Sequence, residues 1–397
     1  GKVNAMSVDF DTVIERRGTN CFKYDFAREM GMPEDVLPLW VADMDFPTAP
    51  AIIERLKALV QYGIFGYTGV KEDYFSAVQH WYASRFGWET QRSWLVTTPG
   101  VVFAIATAIR ALTQKGDAVL IQQPVYYPFA NKVTENDRKL VVNPLILKDG
   151  KYEMDFADME RKMVEQHVKL FLLCSPHNPV GRVWTKEELL RVGEICQKHG
   201  VLVVSDEIHA DFTYAGHTHH VFASVKPEFA DFTVTCTAPS KTFNLAGLQD
   251  SNIFISHREL RHAYKKELSA CGCGGTNCMG MAACQAAYEA GAEWLEQLKL
   301  YLADNLAYVR QFLRDHLPEV TMIEPEGTYL VWLDLRKLGW SPQEQKQVIV
   351  HEAKLWLDTG TMFGQGGEGF ERINIACPRK TLQEAMRRLE RAIHTQR

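Results

Sequence analysis

No run of basic residues occurs in this sequence, and its 44 lysines and arginines are outnumbered by 49 aspartates and glutamates, giving a formal net charge of −5. A nucleic-acid surface built on a basic stripe is therefore not expected. Long apolar runs are missing too. The longest charge-free stretches, 93–109 and 271–288, are interrupted by Pro99-Gly100 and by Gly, Cys, Thr and Asn, so neither reads as a bilayer span and no membrane partner is expected. The opening GKVNAMSVDFDTVIERRG carries no apolar signal-peptide core. Paired CxxC motifs are lacking. The nine cysteines are odd in number and mostly scattered, which predicts reduced thiols in a soluble, cytoplasmic protein. The cluster CGCGGTNC (271–278) has no nearby histidine, and the histidines of HTHH (217–220) stand in a polar loop where solvation is expected. No metal site is read from either.

What is present is an alternation of short apolar strands and helices. With 397 residues the chain is long for one core, and two lobes are expected. Strands are predicted at 94–98, 118–121, 169–174, 201–205 and 233–237, and a first large-lobe helix at 50–62. A second helix is predicted over 101–112, and a third opens with the capping box Thr185-x-x-Glu188 and stops at Gly200. That order predicts an α/β protein with a mostly parallel sheet covered on both faces. The C-terminal part reads as helix 294–317, strand 329–333, helix, strand 372–375 and a capped helix from Thr381. The expected division is a large domain at 51–290 and a smaller α/β domain from 1–50 plus 291–397.

In such sheets ligands sit beyond the carboxyl ends of the strands. The unusual clusters fall there: TTPG (97–100), PVYYPF (124–129), SPHNPVGR (175–182), SDEIHADF (205–212) and TAPSKTF (237–243). Gly100, between strand and helix, is either a plain turn or a place where free amides and the helix dipole bind a phosphate. One of Asp206 and Glu207 faces inward, to hold a ring nitrogen protonated or to accept a structural bond. Asn178-Pro179 is a plain turn or a fixed amide donor. Tyr126 and Tyr127 alternate, so one of them can stack on a ring while the other packs. Lys241 is an ordinary solvated ammonium or, in a cleft that lowers its pKa, an amine able to form an imine. FGQGGEG (363–369) precedes a strand rather than a helix, and reads as a turn delivering Arg372 instead of a phosphate loop.

Taken in order, these clusters resemble the fold-type I pyridoxal-phosphate enzymes of the aminotransferase superfamily. LWVADMDF (39–46), GYTG (66–69), APSKTFNLAG (238–247) and GFERINIACPR (369–379) narrow the resemblance to the cystathionine β-lyase group that includes cystalysin and the MalY and PatB proteins. The likeness runs from about residue 9 to the terminal helix. It implies pyridoxal 5'-phosphate as cofactor, with Lys241 as the Schiff-base lysine and Asp206 beside the pyridine nitrogen. Asn178 and His209 would face the ring oxygen and Tyr126 would stack on the ring. Gly100, the backbone of Val101 and Val102, and the Ser240 hydroxyl would hold the phosphate. Tyr67 would reach the phosphate of a neighbouring subunit. Arg372 would clamp the substrate carboxylate, with Ala42, Tyr127 and Asn178 near the substrate.

The implied activity is C–S β-elimination on L-cystathionine, L-cysteine or related S-substituted cysteines by a homodimer with shared sites. An aminotransferase is the alternative on the same scaffold, and a MalY-like regulatory binding protein the alternative of another class. Two features bear on the choice. His209 stands where many aminotransferases have a tyrosine, and Gln249 where many have a phosphate-binding arginine; both favour the lyase group.

Overall fold

The computed structural model describes residues 7–396. Its large sheet has seven strands: β1 (Leu95–Thr98), β2 (Ala118–Ile121), β3 (Lys139–Val142), β4 (Val168–Cys174), β5 (Leu202–Asp206), β6 (Thr233–Thr237) and β7 (Ser251–Phe254), in the order β1-β7-β6-β5-β4-β2-β3. The pairs β6–β5, β5–β4, β4–β2 and β2–β3 are parallel, while β7 runs antiparallel to both its neighbours. Every residue of β2 is buried, as expected where helices cover both faces. The helix Val101–Leu112 and the helix Lys186–His199, with its Thr185/Glu188 capping box and Gly200 in the left-handed region, form where the sequence places them.

Strands β3 and β7 are not evident from the sequence. Strand β7 hides because its first two residues are polar: Ser251 bonds to the Thr98 carbonyl, and the Asn252 side chain accepts from the Tyr74 hydroxyl. These bonds permit burial that an apolar pattern cannot signal. The sequence reading also leaves out the helices Glu72–Phe86, Arg258–Ala270 and Cys278–Ala290.

The second sheet has four antiparallel strands: β8 (Thr321–Met322), β9 (Leu330–Asp334), β10 (Asp358–Thr359) and β11 (Phe370–Asn374), in the order β8-β9-β11-β10. Leu330 and Ile373 of this sheet share a core with Leu306 of the helix Ala292–His316 and Leu382 of the helix Arg379–Thr395. The same core takes in Tyr74 and Trp81, so the two sheets are joined by continuous packing. The terminal helix corrects an expectation. It starts at Arg379, with Pro378 at its N-cap and no side-chain cap, so Thr381 lies inside the first turn. A proline fixed at φ −55° lets the chain enter the helix earlier than the Thr381-x-x-Glu384 pattern suggests.

Helix Lys186–His199 packs against the segment Pro227–Phe232 through Gly193, where a methyl group would overlap the ring of Phe229. The expected outcome for Gly193→Ala is a loss of roughly 1–3 kcal/mol in denaturant unfolding, from overpacking. An unchanged midpoint would contradict this contact.

Candidate active site

Strand ends bring the motif residues into one cleft of about 230 Å³, walled by Tyr126, Asn178, Asp206, His209, Ser240 and Lys241, with Gly100, Val101 and Val102 at one end and Ala42 at the other. Gly100 is the N-cap of the helix Val101–Leu112, with φ 139° and ψ 161°, a conformation that side chains disfavour. No side chain caps this helix. The first-turn amides and the positive end of the helix dipole therefore face an anion-sized opening. Ser251 Oγ accepts from the Gly100 amide at 3.1 Å and fixes the turn to β7.

Lys241 follows β6 in a loop secured from two sides. Behind it, the Thr242 hydroxyl donates to Asp211 at 2.9 Å, and Asp211 is ion-paired to Arg85 at 2.8 Å. In front, the Asn244 amide donates to the carbonyls of Met44 (2.8 Å) and Phe46 (2.9 Å), and its oxygen accepts from the Met44 amide at 3.0 Å. Lys241 Nζ donates to the Ala42 carbonyl at 3.1 Å, and that carbonyl also accepts from the Tyr329 hydroxyl at 2.8 Å. Burial lowers the lysine pKa to about 8, and the positive charge of Arg372 adds to this against the opposing pull of Asp43 and Asp206. The amine is thus poised near neutrality.

The same burial acts with opposite sign on the neighbouring acid. Asp206, at the end of β5, is pushed up to about 7, although the Ile208 amide (3.2 Å) and Lys241 pull the other way. His209 is pushed down to about 3, first by burial and then by Lys241 and Arg372, so its ring is neutral. Its Nδ1 is buried without a partner.

Arg372 on β11 reaches the cleft through Asn178, whose Oδ1 accepts from Nη1 at 3.2 Å. Its Nη2 donates to the Trp40 carbonyl at 2.6 Å and pairs with Asp358 at 2.9 Å. The 363–369 turn precedes β11 as expected. Tyr126 walls the cleft, whereas Tyr127 lies beside Phe363, with ring centroids 5.6 Å apart, and faces Asp358. Asp206 is the inward member of its pair. Glu207 points the other way and accepts from the Ser205 hydroxyl at 2.7 Å.

Three expected residues, Arg372, Tyr127 and Tyr67, do not line this cleft. Tyr67 is fully exposed on the segment 63–71, away from the cleft of its own chain. A second expectation is corrected at His219. It is buried rather than solvated, because it pairs with the buried Glu207 at 2.7 Å under the edge of the Phe86 ring. Sequence reasoning did not single out Asp211, Asn244, Tyr329, Asn374 or Asp358. Asp211, Asn244 and Asn374 stand inside the quoted motifs, but their partners lie up to hundreds of residues away.

Comparison with known proteins gives the same picture. Residues 34–389 match the model of the family described as aminotransferase class I and II. The chain is 45% identical to cystathionine β-lyase PatB of Bacillus subtilis over 386 residues, covering 97% of this chain and 100% of the relative. It superposes on the pyridoxal-phosphate-containing crystal structure of cystalysin from Treponema denticola with a TM-score of 0.95 and 39% identity, covering 99% and 100% of the two chains. For the pyridoxal-phosphate-bound C–S lyase of Staphylococcus hominis the values are 0.92 and 33%, with 98% and 99% covered.

Asn244→Ala leaves three backbone groups of Met44 and Phe46 without their partner, and an expected loss of roughly 2–3 kcal/mol follows. Thermal unfolding should register this as a lower midpoint. A variant as stable as the parent would show that the 44–46 segment does not depend on Asn244.

Proposed function

Since the chain belongs to the aminotransferase class I and II family, we propose that it is a pyridoxal 5'-phosphate-dependent carbon–sulfur lyase. Its substrates are L-cystathionine, L-cysteine or related S-substituted cysteines, and its products a thiol, pyruvate and ammonia. The observation that carries this reading is the cleft itself, in which a buried amine near neutrality shares walls with a buried carboxylate and an uncapped helix N-terminus.

The donor set fits the cofactor. The open amides at Val101 and Val102, with the Ser240 hydroxyl, suit a phosphate, and Tyr126 offers an aromatic face. Asn178 and His209, whose Nδ1 has no partner, stand ready for polar groups of a ring. Burial disfavours Asp206 as an anion, and a protonated ring nitrogen beside it would hold it ionised. When bound, pyridoxal phosphate supplies an aldehyde for the lysine link and a ring that accepts the electron pair from Cα.

The chain's own residues do the rest. Lys241 holds the cofactor and, once the substrate amine has replaced it, its free amine takes the Cα proton. Asp206 keeps the ring nitrogen protonated. Arg372 fixes the substrate carboxylate, with Asn178 and the Ala42 carbonyl framing its place. The balance is loss of the Cα–H and Cβ–S bonds, departure of a thiolate, and hydrolysis of the remaining enamine to pyruvate and ammonia. Elimination over transamination is supported by a neutral His209 and by Gln249 in the cleft wall, where no arginine adds charge.

The working protein in this reading is a cytoplasmic homodimer, with the cofactor held by the 51–290 domain. Tyr62, Ile64, Phe65 and Tyr67 are exposed together on one segment, the kind of surface that association covers. Tyr67 then serves the phosphate of the partner's site, since it does not reach its own.

Purified protein given L-cystathionine is expected to release homocysteine, pyruvate and ammonia with no keto acid added, as followed by coupled pyruvate assay. A strict need for a keto acid would assign it to transamination. Asp206→Ala should keep the fold while activity falls by on the order of a hundredfold or more. For the dimer, mixing Tyr67→Phe chains with inactive Lys241→Ala chains should restore one intact site per heterodimer and recover part of the activity. No recovery after verified subunit exchange would mean that Tyr67 and Lys241 of one site come from the same chain.

A further inference from the structure

Arg372 already has partners before any substrate arrives. Its guanidinium and the Asp358 carboxylate are both about 2% exposed and lie 2.9 Å apart, paired across the β10–β11 register. Its other acceptors, Asn178 Oδ1 and the Trp40 carbonyl, are neutral, so Asp358 is the charge that balances it. Arg372 Nε has no partner, and the Asp358 Oδ2 contact has the distance of an ion pair without hydrogen-bond alignment. This is a loose hold that a better-placed carboxylate can replace.

A substrate carboxylate arriving at Arg372 puts two carboxylates on one guanidinium. Like charges this close cannot both stay ionised at ordinary cost, and the buried one is the one to be neutralised. We propose that Asp358 is a positioning residue for the substrate clamp: it holds Arg372 in the empty site and takes up one solvent proton when the substrate carboxylate claims the guanidinium. The inference rests on the reading of Arg372 as that clamp. The ionisable groups facing Asp358 are Arg372 and Glu371 from β11 and Tyr126 and Tyr127 from the segment before the helix Pro128–Glu135; Lys346 shares a cavity wall with it. Burial pushes the pKa of Asp358 up while Arg372 pulls it down, so drawing the guanidinium toward another carboxylate removes what keeps Asp358 ionised.

Substrate capture should then weaken as pH rises while turnover at saturation does not follow. The test is calorimetric titration of holoenzyme with L-alanine, which has no β leaving group, in buffers of different protonation enthalpy between pH 6 and 9. Wild-type enzyme is expected to take up about one proton per site more than Asp358→Asn, with its dissociation constant rising by up to about tenfold per pH unit relative to the variant. Glu371→Gln removes the other nearby carboxyl, pushed up to about 8 by burial, and should leave the extra proton in place. Equal uptake by wild type and Asp358→Asn, or its loss in Glu371→Gln, overturns the inference. If Asp358→Asn does not fold, wild-type enzyme titrated with L-alanine and L-alaninamide makes the same comparison once the ligands' own amine ionisation is subtracted, because only the acid brings a second carboxylate; equal uptake overturns it again. No binding of L-alanine by wild type overturns the amino-acid-site reading itself, a result distinct from binding without extra uptake.

Discussion

Everything in this molecule that bears on chemistry depends on a buried amine whose hydrogen-bond partner is a neutral carbonyl. Lys241 donates to Ala42 O rather than to a carboxylate. A direct salt bridge would have held the proton and made the amine inert, whereas burial beside Arg372 loosens it. Asp206 opposes this through its charge, and burial in turn raises its own pKa. The two groups have opposed displacements from a common cause. Such a pair can exchange roles when a charged ligand enters, and that is useful in a site where a base must be regenerated at each turnover.

The segment 40–46 makes this possible. Its carbonyls are shared out between the two cations of the site, Trp40 O to Arg372 and Ala42 O to Lys241. The segment is held by side-chain amides from two elements, the loop after β6 and strand β11: Asn244 grips Met44 and Phe46, while Asn374 donates to the carbonyls of Val41 (2.7 Å) and Asp43 (2.6 Å). Its acidic side chains turn away. Asp43 and Asp45 pair with Arg16 and with the fully buried Lys23, so the motif's charges are neutralised outside the cleft. The backbone of this one segment thus sets the distance between the residue that would bind cofactor and the residue that would bind substrate. Rigid support of this kind is what positioning catalysis needs.

Local chemistry made much of this legible in the sequence, and distance hid the remainder. Lys241, Asp206, Asn178, Tyr126 and Gly100 could be named because each follows an apolar strand, where ligand sites in α/β sheets lie. The capping box at Thr185 and the helix from Val101 were readable for the same reason: the signal sits within four residues. The fixing residues were not readable. Asp211 acts through Thr242 and Arg85, and Asn244 through a strip two hundred residues earlier, pairings that no periodicity encodes. His219 was misjudged because its loop is polar, yet one buried glutamate is enough to draw it inside. Strand β7 escaped because hydrogen bonds, not apolar side chains, account for its burial.

The central claim is that Lys241 is held close to neutrality by its surroundings, and the direct measurement is the pH dependence of its reactivity. Cofactor-free protein would be labelled with limiting aldehyde and reducing agent over pH 6–11, and modification of Lys241 read by peptide mapping against the exposed lysines. The amine reacts only when unprotonated, so labelling should rise with pH through a midpoint at about 8 and level off while ordinary lysines are still largely protonated. A midpoint near 10.5, the ordinary lysine value, would mean that the proton stays on Lys241, contradicting the account.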